Sequence, residues 1–169
     1  MPLESTVVLI DTNAIIEATR TSVWNALTGG LVIQSVEECV EECGRGETGR
    51  SSYVSVSKKE LGRLASVHRV SDEQRATYLL ADGESMGMDA GERDLFAYAW
   101  SRERAGDSEL LICSPDKASI RAAVRVGWPD RLVALESLAT RVGARPTLPF
   151  RDHFREQFLS RYRTEFLLD

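Results

Sequence analysis

No apolar run in the chain approaches the roughly 18 residues that a membrane span needs. The N-terminal region also lacks the charged-then-apolar pattern of an export signal, so no membrane association and a cytoplasmic location are the expectations. Cysteine is scarce and odd in number: Cys39, Cys43 and Cys113. Without a CxxC or a His-x3-His beside them, they read as reduced, packed thiols rather than a disulfide framework or a zinc site. Histidine is limited to His68 and His153, so imidazole can contribute little to a metal site. Lysine is nearly absent. The basic set of 21 residues contains only Lys58, Lys59 and Lys117, and the rest are arginine, which suits forked recognition of phosphate. Excess positive charge is lacking too: the net charge of −5 excludes a protein that coats nucleic acid by charge alone. It does not exclude a nuclease, because a metal bound by carboxylates reverses the sign that a phosphate meets.

What is present fits one domain long enough to bury a core. Val7–Ile10 is a continuous aliphatic run, as in a strand buried on both faces of a parallel sheet. A helical unit follows from Ala14, with Val23, Trp24 and Leu27 at helical spacing and Gly29 and Gly30 at its end. Leu31, Val32 and Ile33 read as a second strand, with Ser35 opening a helix. Residues 44–52 read as a glycine-rich loop and residues 57–82 as helical. Residues 91–104 make a strong helix, 109–113 a third strand and 115–126 a helix with Pro115 in its first turn. Residues 132–135 suggest a fourth strand and 151–167 a last helix. Strands alternating with helices imply an α/β sandwich on a mostly parallel sheet.

Ligands in such sheets bind beyond the carboxyl ends of the strands. Asp11 directly follows the first strand, and Asp116 stands three residues after the third. Glu92 and Asp94 come from the helix at 91–104, and Glu37, Glu38, Glu41 and Glu42 from the helix after strand two. Carboxylates gathered on one edge repel each other unless a cation lies between them. Singly, Asp11 or Asp116 could simply cap a helix.

Three segments carry a family resemblance. VVLIDTNAIIEA resembles the opening motif of PIN domains, the fold of VapC-type toxin ribonucleases; AGERDLFAYA resembles their third acidic motif and LLICSPDKASIRAA their fourth. The motifs span residues 7–123 in family order. The resemblance implies a three-layer α/β/α sandwich with a short, mostly parallel central sheet. It divides the chain into a nuclease domain at 1–143 and a C-terminal helical extension at 144–169 packed on it. It implies a Mg²⁺- or Mn²⁺-dependent endoribonuclease that hydrolyses RNA, with an antitoxin or a second copy as partner. Position by position, the catalytic acids are Asp11, Glu42, Asp94 and Asp116. Asp11, Asp94 and Asp116 would hold the metal, with Glu92 as an additional ligand, and Asn13 and Ser114 would support them.

The second acid needs an apolar neighbourhood, which Cys39, Val40 and Cys43 give Glu42; Glu38 instead completes a capping box begun by Ser35. The chain departs from the toxin pattern in the loop at 44–52 and in the segment after Gly143. Arg121 and Arg125, four apart, are the candidates for guiding a phosphate backbone. Phe150, Phe154, Phe158, Tyr162 and Phe166 recur every four residues with arginines between them, a row that wraps obliquely on a helix and reads as packing before RNA contact. Two other readings use the same residues. One is a phosphohydrolase with Asp11 as nucleophile and Lys117 as counter-charge, although Asn13 stands where such an enzyme has a second Asp. The other is a PIN-like module that binds RNA or protein without catalysis.

Overall fold

The computed structural model describes residues 6–45, 54–107 and 109–169. Four strands form one parallel sheet: β1 (Val7–Ile10), β2 (Val32–Val36), β3 (Ser66–His68) and β4 (Leu111–Cys113), in the order β3-β2-β1-β4. Nine α-helices surround it among the described residues: α1 (Thr12–Arg20), α2 (Trp24–Gly30), α3 (Glu37–Gly44), α4 (Lys58–Leu61), α5 (Asp72–Ala81), α6 (Ala90–Arg104), α7 (Lys117–Arg125), α8 (Leu135–Arg141) and α9 (Glu156–Leu168). The expected three-layer α/β/α sandwich is what forms, with a sheet that is parallel throughout.

The layers follow from the two-residue period of a strand. Leu9, Val36 and Ile112 face one core with α5, α6, α7 and α9. Val8, Ile10, Ile33 and Cys113 face the other with α1, α2 and α8. With both faces covered, the central strand has almost no exposed side chain: Leu9 and Ile10 are 0% exposed. Burying an aliphatic side chain of this size stabilises the fold by roughly 1.5–3 kcal/mol. α3 crosses the carboxyl edge, giving Cys39 to the first core and Cys43 to the second. The three cysteines are unpaired, buried thiols, as their sequence context implied.

Several boundaries differ from the sequence reading. The unit at 14–30 is two helices, broken where Thr21 caps α1 and Ser22 takes φ 63, a left-handed turn fixed by hydrogen bonds from Thr147. Ser35 lies in β2, fully buried, and donates its hydroxyl to Ile10 O at 2.7 Å. It therefore caps nothing, and the capping box with Glu38 does not exist; α3 begins after Val36 with no side-chain cap. The residues 57–82 hold two helices separated by β3, an edge strand of three residues too short to show a periodicity. Asp116, not a residue of the first turn, caps α7, so Pro115 precedes the helix. The stretch at 132–135 contributes one bridge, Leu132 to Ile112, before α8 starts at Leu135. The loop at 44–52 lies almost wholly outside the described residues.

The aromatic row is divided between the layers. Phe150 and Phe154 enter the α1/α2/α8 core, whereas Phe158, Tyr162 and Phe166 pack on the α7 side. The segment after Gly143 is thus packed into both cores of the same domain.

Candidate active site

From β1 the chain runs outward through β2 to β3, then returns to place β4 on the other side of β1. The crevice between the carboxyl ends of β1 and β4 is therefore the point where the sheet reverses its winding, the usual place for a ligand in an open parallel sheet. Asp11 stands there. Its N–H extends the ladder to Cys113 O at 3.1 Å. Its carboxylate caps α1 by accepting the Ala14 N–H at 2.8 Å, and its other oxygen accepts the Ser114 hydroxyl at 3.0 Å. Ser119 supports Ser114 through a hydroxyl contact of 2.7 Å. The side chain is 1% exposed. Burial raises its pKa to about 7, reinforced by the charges of Asp116 and Glu42 and opposed by the Ala14 and Ser114 hydrogen bonds.

Glu42 arrives from α3. It accepts the Thr12 hydroxyl at 2.7 Å and the Gly91 N–H at 3.0 Å, tying α3 to the starts of α1 and α6. A Cβ on Gly91 would stand 2.6 Å from Glu42 Oε2 and 3.0 Å from Cys39 Sγ, so a side chain there would displace the carboxylate. Glu38 and Glu41 do not take part; both pair with Arg45, at 3.1 and 2.7 Å.

Glu92, in the first turn of α6, is 5% exposed, and its Oε1 has no hydrogen-bond partner among the described residues. Its pKa is pushed up to about 9 by burial and then by the charges of Asp11, Asp116 and Asp89. Asp116 caps α7 by accepting the Ala118 N–H at 3.0 Å and lines an open cleft of about 300 Å³ with Asn13, Lys117 and His153. Asp11 thus feels the charges of Asp116 and Glu42, and Glu92 those of Asp11 and Asp116.

Asp94 is not in it. Positions 92 and 94 are about 200° apart around a helix, and Asp94 faces α5, where Arg75 grips both of its oxygens at 2.8 Å. It borders a separate cleft lined by Glu37, Glu38 and Glu41. Its expected metal and catalytic role therefore gives way to an ion pair between helices. The two expected phosphate guides are also placed differently. Arg125 is held by both oxygens of Asp82 at 2.8 Å, with Glu84 at 3.6 Å, so its charge is already matched. Arg121 lies over the Phe166 ring, 4.5 Å from its centroid. Asn13, expected beside Asp11, is exposed on the cleft rim, while Ser114, expected with Asp116, donates its hydroxyl to Asp11. Thr12 and Ser119 were not singled out from the sequence; the hydroxyl between Asp11 and Asn13 was the available signal for Thr12.

Burial comes first and the charge of Asp11 second in pushing the Cys39, Cys43 and Cys113 thiols up, so they stay protonated and offer no thiolate. His68 is occupied by Gln34 at 2.7 Å and stacked on Tyr98. The donors around Asp11 are carboxylate and hydroxyl oxygens, which suit a hard cation, while His153 borders the cleft of Asp116. Among the described residues, no group of three or more Asp, Glu, His or Cys side chains is placed to hold a metal ion. No family model, curated protein or solved structure gives a significant match to this chain.

Proposed function

We propose that this chain is a Mg²⁺- or Mn²⁺-dependent ribonuclease of the PIN type, with Asp11, Glu42, Glu92 and Asp116 as its acidic site. The observation that carries the reading is Glu92: a buried carboxylate with an unpartnered oxygen, coupled to Asp11 and Asp116 at the switch point of the sheet. An orphaned buried acceptor is costly, by about 1–3 kcal/mol, and a cation between these side chains relieves both the orphan and the repulsion. The carboxylate oxygens of Asp11, Glu42, Glu92 and Asp116 suit a hard cation, and the His153 imidazole shares the open cleft with Asp116. Glu42 is the side chain that would have to turn from Thr12 toward the others.

When bound, the ion supplies a lowered pKa for water and neutralisation of charge on the phosphate. The chain's own residues supply the placement. Asp11 is fixed by the Ala14 N–H and the Ser114 hydroxyl, so one orientation of its carboxylate is set before any ligand arrives. Asp116, exposed at the start of α7, borders an open cleft, and a phosphodiester seated there would lie against it. No observation favours the phosphohydrolase. Both oxygens of Asp11 are engaged, and the Lys117 ammonium sits over the Tyr162 ring, 4.1 Å from its centroid. The toxin role and an antitoxin partner remain part of this proposal and rest on the resemblance alone.

The test is cleavage of labelled single-stranded RNA with Mn²⁺, with Mg²⁺ and with EDTA, for the parent and for Asp11→Asn. The variant keeps the helix cap, so it should fold and fail to cleave. Cleavage that survives EDTA, or an Asp11→Asn variant as active as its parent, would overturn the reading.

A further inference from the structure

Two clefts meet at Phe158. The first, about 300 Å³, holds Asp116 of the proposed site together with Lys117 and His153. The second, about 360 Å³, is lined by Arg155, Arg161 and Tyr162 of the α9 region, with Asp152 as its one carboxylate. Phe158 borders both, so its half-buried ring stands between the acidic site and a band of cations. Some arginines of this chain are paired with an acid, as Arg20, Arg45, Arg75, Arg102, Arg125 and Arg131 are, and among the described residues others, such as Arg93, Arg104 and Arg141, are not. Among the described residues, Lys117, Arg121, Arg155 and Arg161 have no carboxylate partner, and three of the four lie over aromatic rings instead: Lys117 and Arg161 over Tyr162, Arg121 over Phe166. A locally positive, ring-backed strip on a protein of net charge −5 is complementary to a polyanion with flat bases.

We infer that single-stranded RNA leaves the proposed site along this strip, its phosphates on Lys117, Arg155 and Arg161 and a base against Phe158. The occupant is single-stranded because the ring lies between clefts sized for small ligands, where an unstacked base fits and a duplex, whose bases are already stacked, gains nothing. The inference rests on the nuclease reading for the direction of the strand, but the strip binds by its own charges and can be tested without cleavage.

The experiment is fluorescence polarisation of a labelled RNA of about ten nucleotides with the full chain in EDTA, between about 50 and 200 mM salt. The proteins are the parent, Arg161→Glu, Phe158→Leu and Arg104→Glu. Arg104 is exposed at the far end of α6, so its reversal changes net charge equally, away from the strip. Three phosphate contacts give a slope of log affinity on log salt of about −2. Arg161→Glu should weaken binding about tenfold and flatten that slope by about 0.7. Phe158→Leu should weaken binding several-fold with the slope unchanged, because it removes stacking rather than charge. Arg104→Glu should stay within about twofold of the parent. Equal losses in Arg161→Glu and Arg104→Glu would overturn the strip as a path. Absence of RNA binding by the parent would do the same and leave this face to an acidic protein. Binding that follows the expected pattern without metal-dependent cleavage would keep the strip and remove the nuclease.

Discussion

Glu42 accepts the Thr12 hydroxyl at 2.7 Å, a contact that fixes the α3 carboxylate beside the residue following Asp11. The same carboxylate takes the Gly91 N–H, next to Glu92. It follows that Glu42→Gln should lower cleavage by at least about tenfold, or 1.4 kcal/mol of transition-state stabilisation. Glu38→Gln should leave cleavage unchanged and alter stability by no more than about 0.5 kcal/mol, since it loses only an exposed pair with Arg45. Rates and melting curves for both variants decide this. A Glu38→Gln enzyme that fails while Glu42→Gln works would reverse the assignment.

Gly91 is where a minimal, uncharged change should disturb the Glu42 carboxylate. An added methyl meets Glu42 Oε2 and the buried Cys39 Sγ, and the thiol cannot retreat. Gly91→Ala should therefore destabilise the fold by about 1–3 kcal/mol and, where it folds, cleave less than the parent. Activity and stability equal to the parent's would mean that the helix shifts to make room.

The pH dependence of stability has a defined sign. In EDTA, folded Glu92 holds its proton to about 9, whereas its ordinary value is 4.5. Asp11 likewise holds its proton to about 7 against 3.8. Between those limits the folded state binds protons that the unfolded chain has released, so stability is greatest at the acid end and falls as pH rises. Each such group contributes a slope of up to about 1.4 kcal/mol per pH unit. Glu92→Gln should remove one proton's share of the slope and melt higher than the parent near pH 8. Mg²⁺ or Mn²⁺ should flatten the parent's curve, because the ion binds the deprotonated form. A Glu92→Gln curve parallel to the parent's would show that Glu92 is ionised in the folded protein.

Asp94→Asn is expected to behave as a structural change. It weakens a forked pair of which the acid is buried and Arg75 half-exposed, so a loss of about 1–2 kcal/mol is expected. Mn²⁺ affinity, measured by calorimetry, should stay within about threefold of the parent's, or about 0.6 kcal/mol. A large drop in Mn²⁺ affinity would return Asp94 to the acidic site.

The layers of the fold were legible because Val7–Ile10 and the helix at Ala90–Arg104 carry strong apolar patterns. β3 was not, since three half-exposed residues on a sheet edge carry no period. Ser35 misled for a different reason: its hydroxyl satisfies a carbonyl of the neighbouring strand, and nothing local separates that use from a helix cap. Asp11 and Asp116 were named from their places after strands, and Glu42 from its match to the family's second motif. Glu92 and Asp94 were both named, but which of them faces the other acids depends on the rotation of α6 about its axis. That rotation is fixed by Arg75 on one side and the Glu42–Gly91 contact on the other, neither of which is visible in a run of nine letters.

The strand order has a consequence for how the acidic group comes into being. Asp11 and Asp116 become neighbours only when β4 docks against β1, after the chain has gone out to the sheet edge and returned. Glu42 and Glu92 come from the two excursions between. Contacts of such long sequence separation close late, once the entropy of large loops has been overcome. Partly collapsed chains would therefore carry four scattered, hydrated carboxylates, and the dehydration and proton uptake of Asp11 and Glu92 would fall in the final step, as a load that the completed sheet has to bear.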